Sequence, residues 1–409
     1  SMSIRSYGRD AKLLIAVTGS LAASFFGVQM LLKVLYILRL GHDPKYVGWF
    51  TAASALAYMG MGLPSGALGN RFGTRLIMRI GALATVAGMA LLPATEYLPD
   101  WAHKLWPFVS QIVLTVGWSM FNVNLVPTLT AATAVGDRSS AFALSSAIRG
   151  IGTFVGTIVG GLLPEWFANT LGQTPDAPAP YRFALWIGAA LGLVGAIPLF
   201  FVRQSLRTGS RERRSSTASL PLLPILFMAG YVYFRHAGWA TCQAFFNAYM
   251  DSDLGLRASS IGLITGAGQI LAVVSCLFTP RLVARWSNAR VLLITTLGTA
   301  ISLIPLGASS SWIAAGGGRI GILILSAIWM PALQVFQMEL VDERWRSIAY
   351  GAVSMAMGLG YGSTSFAGGY VIASWGYRRL FLIGVVLSLV SALVMWFVSR
   401  RYDDRTKIS

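Results

Sequence analysis

The sequence predicts an all-α membrane protein whose twelve transmembrane helices form two pseudo-symmetric six-helix bundles. Three observations carry that prediction: a shortage of charge, a train of long apolar runs, and an internal duplication. Of 409 residues, 55% are hydrophobic and 11% are charged, against about 25% charged in a soluble chain. So little charge cannot keep a chain of this length dispersed in water. The solvent it is built for is lipid.

A spanning helix needs about 20 mostly apolar residues. Such runs occupy 12–39, 46–68, 76–98, 106–133, 139–164, 182–203, 222–250, 259–283, 290–310, 319–341, 347–373 and 378–400. Barrel strands, about ten residues of alternating polarity, do not fit them. The first run is too long for the apolar core of a cleavable signal peptide.

Placement of Lys and Arg sets the orientation. With the N-terminus in the cytoplasm, 21 of the 32 basic residues fall in cytoplasmic segments, among them Arg71, Arg75, Arg79, Arg138, Arg281, Arg285 and Arg290. The outer side holds 8: Arg39, Lys45, Lys104, Arg182, Arg257, Arg319, Arg378 and Arg379. Lys33, Arg149 and Arg235 lie inside spans. The expected location is the cell (inner) membrane, multi-pass, with both termini cytoplasmic. A charge of +17 spread this way is a topology signal rather than a nucleic-acid-binding face, so no nucleic-acid partner is expected.

Cys242 and Cys276 sit inside apolar runs, and His42, His103 and His236 are scattered. No disulfide framework, metal site or cofactor is expected. The chain has no Gly-x-x-x-x-Gly-Lys-Ser/Thr loop for ATP and no catalytic constellation, so it reads as a non-enzyme.

The longest polar stretch, Arg203 to Ser219, divides the chain near its middle. The expected organisation is an N-terminal bundle over 1–202, a cytoplasmic linker over 203–220, and a C-terminal bundle over 221–409. The halves resemble each other. Leu40, Gly41, Gly48, Thr51, Ala53, Leu68 and Arg71 recur 214 residues later, as Leu254, Gly255, Gly262, Thr265, Ala267, Leu282 and Arg285. Arg138, Ser139, Ala141, Gly152, Gly160 and Gly161 recur 208 residues later, as Arg346, Ser347, Ala349, Gly360, Gly368 and Gly369. Duplicated six-helix units build secondary transporters with a site at the repeat interface.

Between the second and third spans lies Gly66-Ala67-Leu68-Gly69-Asn70-Arg71-Phe72-Gly73-Thr74-Arg75. It resembles the signature loop of the major facilitator superfamily, with Asn70 where Asp is commoner, which weakens a charge latch to a hydrogen bond. Glycines there permit a tight turn, and polar residues can latch onto helix ends. Gly66, Asn70, Arg71, Gly73 and Arg75 are therefore the expected conformational-switch loop. In the second half Leu282, Arg285, Trp286 and Arg290 survive, but the glycines do not. Glu339 through Arg346 also looks like the family's segment at that place. The resemblance covers essentially the whole chain and implies a secondary transporter using alternating access.

Gly152, Gly156 and Gly160 share one face of the fifth span, where small residues let backbones approach. That pattern resembles a motif of the family's drug–proton antiporters, although Thr157 stands where they carry Pro. Plain helix packing explains it equally. Proton relays use a buried carboxylate, and Glu96, Glu165, Asp251, Asp253 and Glu339 all fall near span ends, so proton coupling is not supported at its usual place.

Lys33 lies about 9 Å from its helix end, within snorkelling reach. Arg149 is deeper. Arg235 sits about 20 Å into the seventh span, near mid-membrane, where Arg costs about 2.5–3.5 kcal/mol. Tyr231, Arg235, Trp239 and Gln243 are spaced by four and share a face, with His236 beside them. The family's first, fourth, seventh and tenth spans line its central cavity. That resemblance makes the candidate substrate-binding residues Gln29, Lys33, Asn122, Asn124, Tyr231, Arg235, His236, Trp239, Gln243, Trp329, Gln334 and Gln337; Arg149 joins them as a cation inside the fifth span.

The expected partners are membrane lipids and a small-molecule substrate of anionic or amphipathic character. A monomer is expected. Export of such a compound, flipping of a lipid or lysolipid, and uptake of an organic anion by uniport or symport all stand open at this point.

Overall fold

The computed structural model describes residues 7–134, 137–203, 221–341 and 346–406. Within them the chain runs through twelve helical segments and no strand. These are α1 (Arg9–Arg39), α2 (Pro44–Phe72), α3 (Thr74–Tyr97), α4 (Trp106–Ala131), α5 (Arg138–Leu171) and α6 (Pro178–Phe201). The second half holds α7 (Leu222–Ser252), α8 (Ala258–Cys276), α9 (Thr279–Ala308), α10 (Trp312–Leu340), α11 (Arg346–Trp375) and α12 (Tyr377–Thr406). A helix satisfies its own backbone groups, which lipid cannot do; this is why long apolar runs resolve into helices here.

Among the described residues, nine of these are long and apolar enough to cross a membrane by composition alone. The other three, α2, α7 and α11, are diluted by glycine, hydroxyl and polar residues. In α7 those residues are Arg235, His236, Gln243 and Asn247. Helix α10 begins at Trp312 rather than at Arg319. This corrects one sequence expectation. The apolar run counted from Arg319 leaves Gly316-Gly317-Gly318 outside the span, but the helix continues through them and carries Arg319 inside. Residues 204–220 of the linker, together with Arg344, lie outside the described residues.

The chain divides into two compact units, each built from three stretches of sequence. One comprises Ser1–His42, Leu56–Arg214 and Arg257–Gly266; the other comprises Asp43–Ala55, Ser215–Leu256 and Ala267–Ser409. The core of the first gathers Leu14, Met78, Met89, Leu114, Trp118, Phe121 and Leu125. Met228, Val232, Leu292, Trp329, Leu333, Phe336, Val353 and Met395 make the core of the second.

In the first unit, α1 is not uniformly α-helical. Ala23–Gln29 form a π-helical segment, a wider turn frequent at functional sites. It rests in a groove of glycines. A Cβ on Gly156 of α5 would strike the backbone of Ala23, and one on Gly188 of α6 would stand 2.7 Å from Val28. Gly152 meets the carbonyl of Gly19 in the same way. The glycine face of α5 is therefore the bed on which α1 lies, which is the packing reading of that motif.

The turn between α2 and α3 is a single residue, Gly73, at φ 95° and ψ 134°. Its repeat equivalent, 214 residues on, is Ser287, which takes φ 68° and ψ 158°. The glycine is gone from the second copy, but the backbone still turns through the same left-handed region. Past the first turn, Arg79 donates to the carbonyls of Leu199, Phe200 and Val202 at 3.4, 2.6 and 3.3 Å. Arg75 reaches the carbonyl of Arg203 at 3.2 Å. Cations at a helix C-terminus complement its dipole, so these two arginines fasten the end of α6 within the same unit. Asn70 and Arg71 remain exposed, and the Arg71 guanidinium lies 5.1 Å from the ring of Phe72.

Candidate functional site

Each unit holds a cluster of polar and aromatic side chains inside its helices. In the first unit, Arg149 Nη2 donates to Asn122 Oδ1 at 3.2 Å, and Asn122 Nδ2 donates to the Tyr58 hydroxyl at 3.2 Å. The guanidinium also lies 5.8 Å from the Trp118 ring, which packs on Phe25 and Phe26 at 5.0 and 5.1 Å. All these groups are partly or fully buried apart from the Tyr58 ring. Tyr58 and Trp118 were not among the sequence candidates. Tyr58 comes from α2, a span outside the expected cavity set, and Trp118 reads as an ordinary apolar residue until Arg149 is placed against it.

Gln29 and Lys33 are 1% and 5% exposed. Lys33 therefore does not snorkel, because its helix is surrounded along this stretch. Asn124 is structural: its amide donates to the carbonyls of Ser65 and Met120 at 3.1 and 2.8 Å, and its side chain fills the space that a Cβ on Gly69 would take. It ties α4 to α2 beside the signature loop.

In the second unit, the face of α7 that carries Tyr231, Arg235, Trp239 and Gln243 divides its residues among different neighbours. Tyr231 shares a hydrogen bond of 2.9 Å with Thr296 Oγ1 and accepts one of 2.7 Å from Trp329 Nε1. Arg235, 1% exposed, donates from Nη2 to Ser326 Oγ at 3.1 Å and to Thr299 Oγ1 at 3.5 Å. Its guanidinium carbon sits 4.6 Å from the Trp329 ring centroid, a cation–π contact that gains strength when desolvated. His236 packs between Trp239 and Trp329, at 5.4 and 5.3 Å. Neither His236 Nδ1 nor Trp239 Nε1 has a hydrogen-bond partner among the described residues.

Gln243 belongs to another group. It accepts from Arg319 Nη1 at 2.8 Å. Arg319 is 5% exposed, so a residue expected on the outer side is a buried cation, displaced inward by the seven residues of α10 that precede it. Gln337 is buried and Gln334 is exposed; the structure does not bring Gln334 to the cluster.

Glu96 is the one carboxylate with a buried-side role that the described ion pairs display. It pairs with Arg182 at 3.2 Å and accepts from Tyr36 at 3.1 Å, which fastens α1, α3 and α6 together near their ends. No described carboxylate pairs with Arg149, Arg235 or Arg319. Among the described residues, the buried positive charge of these clusters meets amides, hydroxyls, a cysteine sulfur and aromatic faces. No described group of His, Cys, Asp and Glu is arranged to hold a metal ion.

Comparison with known proteins bears on the whole chain. Multidrug resistance protein MdtH of Edwardsiella ictaluri (strain 93-146) is 24% identical over 415 residues, covering 95% of this chain and 94% of that protein. MdtH of Yersinia pestis (strain Pestoides F) is 22% identical, covering 94% and 93%. Among solved structures, the D-xylose-proton symporter superposes with a TM-score of 0.74 at 16% identity, covering 94% of this chain and 97% of that one. The nucleoside transporter NupG superposes at 0.72 with 14% identity, covering 95% and 98%. At such identities the likeness is one of fold. The sequence profile of the Major Facilitator Superfamily matches residues 14–246 and again 228–409. With twelve helical segments among the described residues and a duplicated six-helix unit, the chain is a multi-pass membrane transporter that belongs to the Major Facilitator Superfamily.

Proposed function

We propose that this transporter exports amphipathic organic anions by alternating access, with Arg235 as the principal contact for the anionic group. One observation carries the reading: a guanidinium near the middle of α7, 1% exposed, whose partners are two hydroxyls and a tryptophan face. A buried charge without an opposite charge costs several kcal/mol. Neutral dipoles offset part of that cost, and an acidic group on the solute supplies the rest. Trp329, His236 and Trp239 offer aromatic surface for an apolar body next to the charge. Arg149, held by Asn122, adds positive potential within the first unit. Export is favoured by the relatives' printed name, multidrug resistance protein.

The test is Arg235→Gln, which keeps donors and size but removes charge. Affinity for an aromatic carboxylate should fall by about tenfold or more, the scale of a charge-assisted hydrogen bond, while a neutral amide analogue changes little. Arg235→Lys should also bind more weakly, because Lys offers a point charge instead of a planar fork. A lowered melting temperature with unchanged affinity for the carboxylate would overturn the reading, since Arg235 would then act only in packing. Inside-out vesicles that accumulate the solute confirm export; accumulation only in right-side-out vesicles refutes it.

A further inference from the structure

We infer that Arg319 is a second anion-binding subsite, two turns along α7 from Arg235, and that the substrate class includes molecules with an acidic group at each end of an apolar body. The inference rests on the reading of Arg235 given above. Its own observations concern a different set of side chains.

Arg319 enters from α10 and is 5% exposed. Nη1 donates to Gln243 Oε1 at 2.8 Å and stands 3.7 Å from Cys242 Sγ. The guanidinium lies 5.2 Å from the Phe246 ring and within electrostatic reach of the Tyr361 hydroxyl. Arg319 Nε has no hydrogen-bond partner among the described residues. The Trp239 indole N–H is also without one, and its ring packs against Tyr361 at 5.8 Å. Around one buried cation the fold thus gathers N–H and O–H donors, one amide acceptor and no described carboxylate. A donor-rich, positively charged cluster of this kind suits a carboxylate, sulfonate or phosphate group, which accepts several charge-assisted bonds at once.

The spacing follows from helix geometry. Arg235 and the Arg319 partner Gln243 are eight residues apart on α7, about 12 Å at 1.5 Å per residue. On α10, Ser326, which binds Arg235, and Arg319 are seven residues apart, about 10 Å. The two helices run antiparallel here, so both rulers measure the same gap. Trp239 and His236 lie along it, which places aromatic surface between the two cations. A rigid solute about 10 Å long with an acid at each end matches this layout.

The probes are biphenyl para-carboxylate and its para,para′-dicarboxylate, which share one apolar body. Binding is measured by calorimetry on the purified full chain. Wild type should bind the dicarboxylate about tenfold more tightly than the monocarboxylate, one extra charge-assisted contact. Arg319→Gln should bring that ratio to within about threefold of one. Gln243→Glu places a carboxylate against Arg319 and fills the subsite from within. It should collapse the ratio in the same way while raising the melting temperature, so it carries the test alone if Arg319→Gln does not fold. A wild-type ratio near one, or an unchanged ratio in Gln243→Glu, overturns the subsite. Failure of the earlier reading looks different: monocarboxylate affinity would then be indifferent to Arg235→Gln. Binding of neither probe by wild type would overturn both.

Discussion

Gly161 of α5 and Gly262 of α8 lie back to back: a Cβ on Gly161 would stand 3.3 Å from the Cα of Gly262, and one on Gly262 would stand 3.2 Å from the Cα of Gly161. The repeat relation maps this pair onto Gly369 and Gly48. A Cβ on Gly48 likewise falls 3.3 Å from the Cα of Gly369. The same contact is therefore made twice, once in each unit. In the first unit it is accompanied by a hydrogen bond of 2.6 Å from Ser259 Oγ to Glu165 Oε1. In the second it is accompanied by the stacked rings of Trp49 and Phe366, 5.7 Å apart.

Valine at position 262 or 48 should be poorly tolerated, because the opposing atoms are backbone and cannot move aside. Overpacking of this kind costs about 1–3 kcal/mol. The expected outcome is a lower melting temperature for Gly262→Val and Gly48→Val in detergent. A control Gly60→Val, where a Cβ meets nothing within 4 Å, should leave it near wild type. Equal effects at all three positions would remove the case for the paired contact.

Ser287→Gly should stabilise the protein. Serine at φ 68° and ψ 158° occupies a region that is essentially restricted to glycine and costs about 1–3 kcal/mol. Glycine gives back part of that gain as unfolded-state entropy, leaving a net of about 1 kcal/mol. Thermal or denaturant unfolding measures it. The reverse exchange, Gly73→Ser, imposes the same strain on the first copy and should destabilise.

The signature loop is expected to act on rate rather than on affinity. Arg71 and Asn70 are exposed on the last turn of α2, beside the Gly73 turn, so Arg71→Ala should slow transport while substrate binding stays within about twofold. This is what a residue that biases conformational populations does. Arg79→Ala should in addition lower stability, because three carbonyls at the end of α6 lose their donor. An Arg71→Ala protein that transports at the wild-type rate would count against a switching role.

Topology is open to direct measurement. Cysteines introduced at Ser216 and at Thr174 should react with an impermeant reagent from opposite faces of the membrane, with Ser216 on the cytoplasmic side. Reaction of both from one side is incompatible with twelve spans and the basic asymmetry of the sequence.

Lipid as solvent, the twelve helices and the duplication were decided by the sequence alone, because each follows from a property that runs along the chain. Apolar length sets the number of spans, and a repeated residue pattern records the copied unit. The turn at Gly73 was legible too, since few residues permit it. Its counterpart at Ser287 was not, because there the surrounding helices hold a serine in a conformation that its own preferences oppose. Helix rotation and depth are set by packing against neighbours, not by composition. That is why Arg319 lies inside α10 although the apolar run of the sequence begins only at Arg319. For the same reason the Asn124 amide is taken up by backbone carbonyls of α2 and α4 and Gln334 is exposed. Tyr58 and Trp118 join Arg149 only because three helices bring them together. Which polar side chains could be candidates was written in one dimension; which of them meet, and around which cation, was decided by the tertiary structure, because a partner in a membrane protein is whichever group the neighbouring helix presents at the same depth.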